Sequence, residues 1–254
     1  MRGDVWLGRT FQVIFVVLLY TGWAWATAEH KVNLLLLPDP HVVFSQMGKM
    51  IGTGALAKAT FVTIWEIVRA YLLASLLGLV VGFLISRSYR TTQFLEPIFA
   101  AIFTVPLVFL LPLFIFYFGI GPTTKVAFGG VYAFFPVVLT SIASFSGTEK
   151  LFVRSAQSMG ANQWQLFRHI YFPSALPGVI NGLRLATIIC IASVLGAETI
   201  SAAAGLGHQI SVEGELMNTA TMFAWILYVV IAAIIINMGL TALEGWAQRR
   251  TAGA

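Results

Sequence analysis

"RSAQSMGANQWQLFRHIYFP", Arg154 to Pro173, is among the most polar runs in a 254-residue chain of which 58% is hydrophobic and 10% charged. Long apolar segments lie on both sides of it. Two short helices fit the run. From Glu149 to Met159 the helical period puts Phe152, Ala156 and Met159 on one face and turns Lys150, Arg154 and Gln157 away. Gly160 follows the last periodic residue, where a glycine can take the left-handed conformation that ends a helix and redirects the chain. From Ala161 to Tyr171 a second helix aligns Ala161, Trp164, Phe167 and Tyr171 in a stripe, with Asn162, Gln165, Arg168 and His169 around it. Pro173 and Pro177 mark the start of the next apolar segment. One use of such an element is to lie on headgroups with Trp164 and Phe167 dipped into lipid, but Arg168 alone is a thin cationic face for that task. The other is to dock a partner, with small Ser155 and Ala156 permitting close approach and the aromatics serving as anchors. On the residues alone both readings stay open.

Composition fixes the solvent. A mean hydropathy of +0.86 with so few charges is far from the roughly 25% charged residues of soluble domains. The apolar stretches Phe11–Ala28, Thr60–Ser86, Ile98–Phe118, Val126–Phe145, Ala175–Thr199 and Phe223–Leu243 each approach or exceed the roughly 18 to 20 residues that span hydrocarbon as a helix. The expectation is an all-α integral membrane protein with six transmembrane helices. A barrel would show alternating segments of about ten residues, and none are visible. Arg2 and Arg9 before an apolar core, with Ala26 and Ala28 after it, also fit a cleavable signal peptide. The long core and the interfacial Trp23 and Trp25 favour a retained helix.

Basic residues orient the spans. With the N-terminus in the cytoplasm, Arg2, Arg9, Arg87, Arg90, Lys150, Arg154, Arg168, Arg249 and Arg250 fall inside, while Lys31, Lys49, Lys58 and Lys125 fall outside. That asymmetry, nine against four, places both termini in the cytoplasm. The net charge of +5 then reports topology and anionic headgroups, not nucleic acid, because no basic stripe is interleaved with base-stacking aromatics.

Catalytic chemistry finds no residues. The lone Cys190 sits in an apolar span without a ligand neighbour and reads as a packing residue. His30, His41, His169 and His208 form no metal-binding spacing. The nearest approach to a phosphate loop is GTGALAKA, Gly52 to Ala59, with alanine at both the second glycine and the hydroxyl position. No nucleophile elbow or Ser-x-x-Lys motif occurs. The expectation is a protein that is not an enzyme and holds no metal or cofactor.

Within the spans, Pro106 and Pro112 interrupt the third and Pro136 the fourth, each removing a backbone donor. These suit a gated path and suit simple packing equally. Glu66 and Arg69, three residues apart, read as a self-neutralising pair. Arg184 reads as snorkelling to the interface. Glu198 ends the fifth span among small residues with no local cation, and reads either as a gate or partner contact or as an exposed interfacial carboxylate.

The run Ala156-x-x-x-Gly160, nine residues, Ile170-x-Phe172-Pro173 resembles the "EAA" loop of ABC importer permeases, Glu-Ala-Ala, three residues, Gly, nine residues, Ile-x-Leu-Pro. Further residues resemble the nitrate/sulfonate/taurine branch: "PDP" at Pro38–Pro40, "FGIGPTTK" at Phe118–Lys125, "FFPV" at Phe134–Val137, "ALPGVINGLRLA" at Ala175–Ala186, Ala197-Glu198, and "GLG" at Gly205–Gly207. The similarity covers about residues 38 to 245. It implies the type I ABC importer (MetI-like) permease fold with a cytoplasmic coupling helix, set in the cell inner membrane. The apolar spans and the basic-residue count give the expected organisation: an N-terminal helix at 1–28, an external linker with an amphipathic segment at 29–59, a five-helix core at 60–245 holding the coupling loop 147–173, and a cytoplasmic tail at 246–254. The implied partners are a second permease copy, two cytoplasmic ABC ATPases, an external solute-binding protein and membrane lipid, with no nucleic acid. The implied coupling residues are Arg154, Ser155, Ala156, Gly160, Ala161, Trp164, Phe167, Arg168, Ile170 and Pro173. Gate or pathway candidates are Pro106, Pro112, Pro136 and Glu198. The implied cargo is a nitrate-, sulfonate- or taurine-like anion or a vitamin precursor. Arg154 stands where the motif has glutamate and Ser155 where it has alanine, so either the ATPase offers an acid there or Arg154 faces phospholipid. A self-contained secondary transporter or channel is the competing class. It would show inverted repeats and midplane ionisable residues, and neither is found.

Overall fold

The computed structural model describes the backbone of residues 2–28 and 32–251 and the side chains of residues 10–28, 32–239 and 241. Lys31 and the side chains of Arg2, Arg9, Arg249 and Arg250, which enter the orientation argument, lie outside the described residues, as does His30. In chain order the helices are α1 (Arg2–Ala28), α2 (Pro40–Gly52), α3 (Ala55–Ser86), α4 (Tyr89–Thr104), α5 (Leu111–Phe118), α6 (Pro122–Ser146), α7 (Lys150–Ser158), α8 (Gln163–Leu166), α9 (Phe172–Ser201), α10 (Leu206–Glu215) and α11 (Thr219–Thr251).

Small residues four apart share one face of a helix, and three such ridges close the bundle. Helix α3 offers Ala70, Ala74, Gly78 and Gly82; α6 offers Gly129, Ala133, Val137 and Ser141; α9 offers Gly178, Gly182, Ala186 and Cys190. A Cβ on Gly78 would stand 2.7 Å from the Val137 Cβ, and one on Gly82 would stand 2.5 Å from that of Ser141. Gly178 and Gly182 receive Ser144 and Thr140 of α6 in the same way. Lipid tails are as apolar as leucine, so helices associate in a membrane through such close approach. Helix α6 is the central element, 56% buried over its apolar window where α1 is 6% buried. Cys190 is fully buried and its Sγ donates to the Ile67 carbonyl at 3.6 Å, a packing residue as expected. The reverse face of α3, with Phe61, Leu72, Leu76 and Leu77, is exposed and fits acyl chains.

Five helices are long and apolar enough to cross a membrane, and the bent pair of α4 and the 107–118 segment makes six if counted as one span. Its two halves meet at 78°. The break falls where Val105 and Pro106 leave the helical conformation, because a proline ring disfavours helix in the residue before it. The expected interruption at Pro106 is thus seen, while the role given to the other two prolines is corrected. Pro112 lies in the first turn of α5 and begins a helix where its missing N–H is harmless. Pro136 lies inside α6, which continues unbroken to Ser146. The Thr140 hydroxyl donates to the Pro136 carbonyl at 2.6 Å.

Peripheral elements attach at one end. Asp39 caps α2 by accepting from the His41 N–H at 2.7 Å. Helix α2 then packs Val43 and Met50 against Leu56, Leu206, Ala224 and Trp225. Arg184 donates to the Thr241 hydroxyl at 2.9 Å, so it ties α9 to α11.

Candidate functional site

Two places gather polar or motif residues, one at each end of the three-ridge bundle. At the end where α3 and α6 finish, α7 runs from Lys150 to Ser158 and stops as its sequence dictates. Gly160 has φ of 82°. The N–H groups of Gly160 and Ala161 donate to the carbonyls of Gln157 and Ala156, both at 3.0 Å, closing a Schellman turn. Asn162 then caps the next helix in a reciprocal box with Gln165, at 2.9 and 2.8 Å.

The expected second helix does not end before Pro173. Gln163 to Ser201 is one continuous helical run, with a π turn at Phe167–Tyr171. Pro173 cannot donate to the His169 carbonyl. The ladder absorbs that gap in the wider turn, where the Phe172 N–H reaches back five residues to Phe167. The polar run is thus rigidly joined to a span.

The two faces of α7 divide as the helical period requires, and the polar one is turned inward. Lys150, Val153, Arg154 and Gln157 turn toward the bundle and line a cleft with the α3–α4 corner and the end of α6. Phe152 and Met159 are 54% and 82% exposed. Lys150 and Arg154 remain exposed within the cleft and so keep their hydration there, while Ala156 alone of the expected apolar face is buried. Ser155, Ala156, Gly160, Ala161 and Ile170 meet around two adjoining cavities of about 300 and 330 Å3, on the face of α7 opposite Arg154. The aromatic stripe divides. Trp164 is 65% exposed, but Phe167 turns inward with its ring 4.9 Å from that of Phe83. Arg168 is exposed, and Pro173 is exposed in the first turn of α9.

The opposite end holds a buried polar node that the sequence reading missed. Each ridge continues in the same register into an ionisable residue: Glu66 precedes Ala70 on α3, Lys125 precedes Gly129 on α6, and on α9 Val194 and then Glu198 follow Cys190. All three are buried to 2% exposure or less. The Lys125 ammonium meets Glu66 at 2.6 Å and donates to the Ala204 carbonyl at 3.2 Å. Glu198 accepts from the Thr63 hydroxyl at 2.7 Å and from the Gly207 N–H at 2.8 Å, while the Thr63 oxygen accepts from the Leu206 N–H at 2.9 Å.

Glycine makes the enclosure feasible. Gly205 has φ of 118° and a Cβ there would collide with the Glu198 carboxylate; one on Gly207 would stand 2.5 Å from the Leu195 carbonyl. The turn with Gly119 and Gly121 at positive φ, capped by the Thr124 hydroxyl on the Gly119 carbonyl, delivers Lys125 inward. Three expectations change here. Glu66 pairs with Lys125 and not with Arg69, whose guanidinium lies 5.3 Å over the Trp65 ring. Lys125 is no solvated external cation. Glu198 is no exposed interfacial carboxylate. The signal that could have found the node was the four-residue register itself.

Among the described residues no group of histidine, cysteine, aspartate and glutamate could hold a metal ion. The sequence comparisons agree with this architecture. The family model described as "Binding-protein-dependent transport system inner membrane component" matches residues 74–253. The chain is 31% identical to the taurine transport system permease protein of Escherichia coli (strain K12), over 90% of this chain and 84% of that one. It is 27% identical to a putative aliphatic sulfonates transport permease protein of Bacillus subtilis (strain 168), over 84% and 77%. It is 26% identical to a riboflavin transport system permease protein of Chloroflexus aurantiacus, over 93% and 87%. Among solved structures, the inward-facing MetNI methionine ABC transporter matches with a TM-score of 0.61 at 21% identity, covering 75% of this chain and 94% of that one.

Proposed function

Because this chain belongs to the family of binding-protein-dependent transport system inner membrane components, we propose that it carries a small sulfonate-type anion inward, driven through α7 and the first turns of α9. It is the permease subunit of an ABC importer, a transport component without enzymatic activity, which works with an ATPase and a binding protein. A second copy of the chain completes the pathway. Both termini and the 147–173 loop face the cytoplasm, where two ATPases dock, and lipid surrounds the exposed faces of α1 and α3.

The observation that carries the coupling assignment is the gathering of Ser155, Ala156, Gly160, Ala161 and Ile170 around two adjoining open cavities that exposed Met159 also lines, with Trp164 exposed nearby in the chain. Ser155 and Ala156 admit the partner's backbone, Trp164 and Met159 supply anchors, and Arg168 borders the contact. Phe167 supports it from within, and Pro173, exposed in the first turn of α9, lies at the junction with the span. Arg154 acts from the other face of α7. Nucleotide binding, by favouring one arrangement of the ATPases, shifts the spans between inward and outward states. The bend at Pro106, with α5 begun by Pro112, and the Pro136 segment of α6 lie along the moving path, and Glu198 holds its outer end.

The sulfonate assignment rests on the taurine and aliphatic sulfonate relatives. Proteoliposomes holding this chain, its ATPase and its binding protein should accumulate labelled taurine only with internal ATP, and unlabelled aliphatic sulfonates should compete. Accumulation of riboflavin in place of taurine overturns the cargo. Uptake that ignores ATP overturns the importer assignment itself.

A further inference from the structure

At the end where α3 and α6 finish, a cleft of about 310 Å3 is bordered by Arg87, Lys150 and Arg154, and no carboxylate lines it. Lys125 and Glu66 form an ion pair at the far end of the bundle, but none of these three cations has an acidic partner among the described residues. Tyr89, Thr92 and Tyr171 line the same space, and Phe145 and Val153 give it an apolar wall. The Thr148 side chain is 8% exposed and its hydroxyl has no hydrogen-bond partner. Helix α7 begins at the cleft, and no side chain caps its first N–H groups, so the positive end of its dipole adds to the three cations.

We infer that this cleft binds the phosphate headgroup of an anionic lipid from the cytoplasmic leaflet. The inference rests on the orientation proposed above. Three features select this ligand. Guanidinium groups bind phosphate oxygens through paired donors. Spans α3 and α6 end at Ser86 and Ser146, which sets the cleft at headgroup depth and leaves acyl chains beside the apolar wall. Basic pockets between spans on the cytoplasmic side suit anionic headgroups. The arrangement also accounts for an arginine at position 154: facing the cleft and not the Ser155–Gly160 face, its charge holds α7 to the membrane surface.

The test uses the full chain in mixed micelles, titrated with phosphatidylglycerol and, separately, with phosphatidylcholine, with retained lipid counted by native mass spectrometry. Wild type should retain phosphatidylglycerol in preference to phosphatidylcholine. Arg87→Gln combined with Arg154→Gln should weaken that retention roughly thirtyfold, about 1 kcal/mol for each cation. Arg90→Gln, an exposed cation of the same corner outside the cleft, should change it little. Inorganic phosphate should compete weakly, because it lacks the acyl chains; if it displaces the lipid completely, the site is for free phosphate and the lipid inference fails. Equal loss in Arg90→Gln would mean unspecific surface charge and would overturn the inference. So would loss of ATPase capture, with lipid retention intact, in the double variant, since the cleft would then receive a partner's acid. ATPase capture by wild type is read in parallel. Capture without lipid sinks only the lipid site, and no capture sinks the coupling proposal.

Discussion

Lys125 shows how one residue changes meaning between sequence and fold. In the sequence it follows a glycine-rich turn and counts as an outside cation; in the structure its buried ammonium meets Glu66 and the carbonyl of Ala204. Removing one partner of a buried ion pair leaves an uncompensated charge, which costs about 3 to 5 kcal/mol, whereas replacing both by apolar groups is often neutral. Lys125→Met should therefore lower the thermal unfolding midpoint of the purified chain sharply, and Glu66→Leu with Lys125→Met should recover most of it. A single variant as stable as wild type would show that the pair contributes nothing. Glu66 looked satisfied by Arg69 because sequence reveals neighbours along a helix and not across helices. Its true partner lies on another element, 59 positions away by the two residue numbers (125 − 66).

At the scale of elements, spans were the most legible part, because the length of an apolar stretch directly measures hydrocarbon thickness. The Gly160 turn was equally legible, since only a left-handed residue closes it. What failed was the division of the polar run from α9. Proline is read as a boundary, yet the π turn at Phe167–Tyr171 carries the helix past Pro173. The helical period separates Lys150, Arg154 and Gln157 from Phe152, Ala156 and Met159, as the structure does, but it does not say which face meets the bundle, and the bundle's end accepts the polar one. The stripe of Trp164 and Phe167 now separates into two roles, which mutation distinguishes. Trp164→Ala should weaken capture of the purified ATPase by about 2 kcal/mol, roughly thirtyfold, without altering the permease's own unfolding. Phe167→Ala should lower the unfolding midpoint instead, because it removes the ring packed on Phe83. Reversed effects would reassign the anchor.

Seen whole, the molecule places the proposed ATPase contact and the buried node at opposite ends of three tightly packed helices, one of which, running from Gln163 to Ser201, reaches both. Interiors packed this closely switch between discrete arrangements in preference to bending gradually, so a push on the first turns of that helix should reach residues 202–207. Ala203 is exposed beside the node, whereas the native Cys190 is fully buried and silent to reagents. The decisive measurement is the rate at which an impermeant maleimide labels Ala203→Cys from outside, in right-side-out vesicles holding the complete importer. Labelling should occur, and its rate should change severalfold when a non-hydrolysable ATP analogue is loaded inside. A rate indifferent to the nucleotide would refute coupling along this helix.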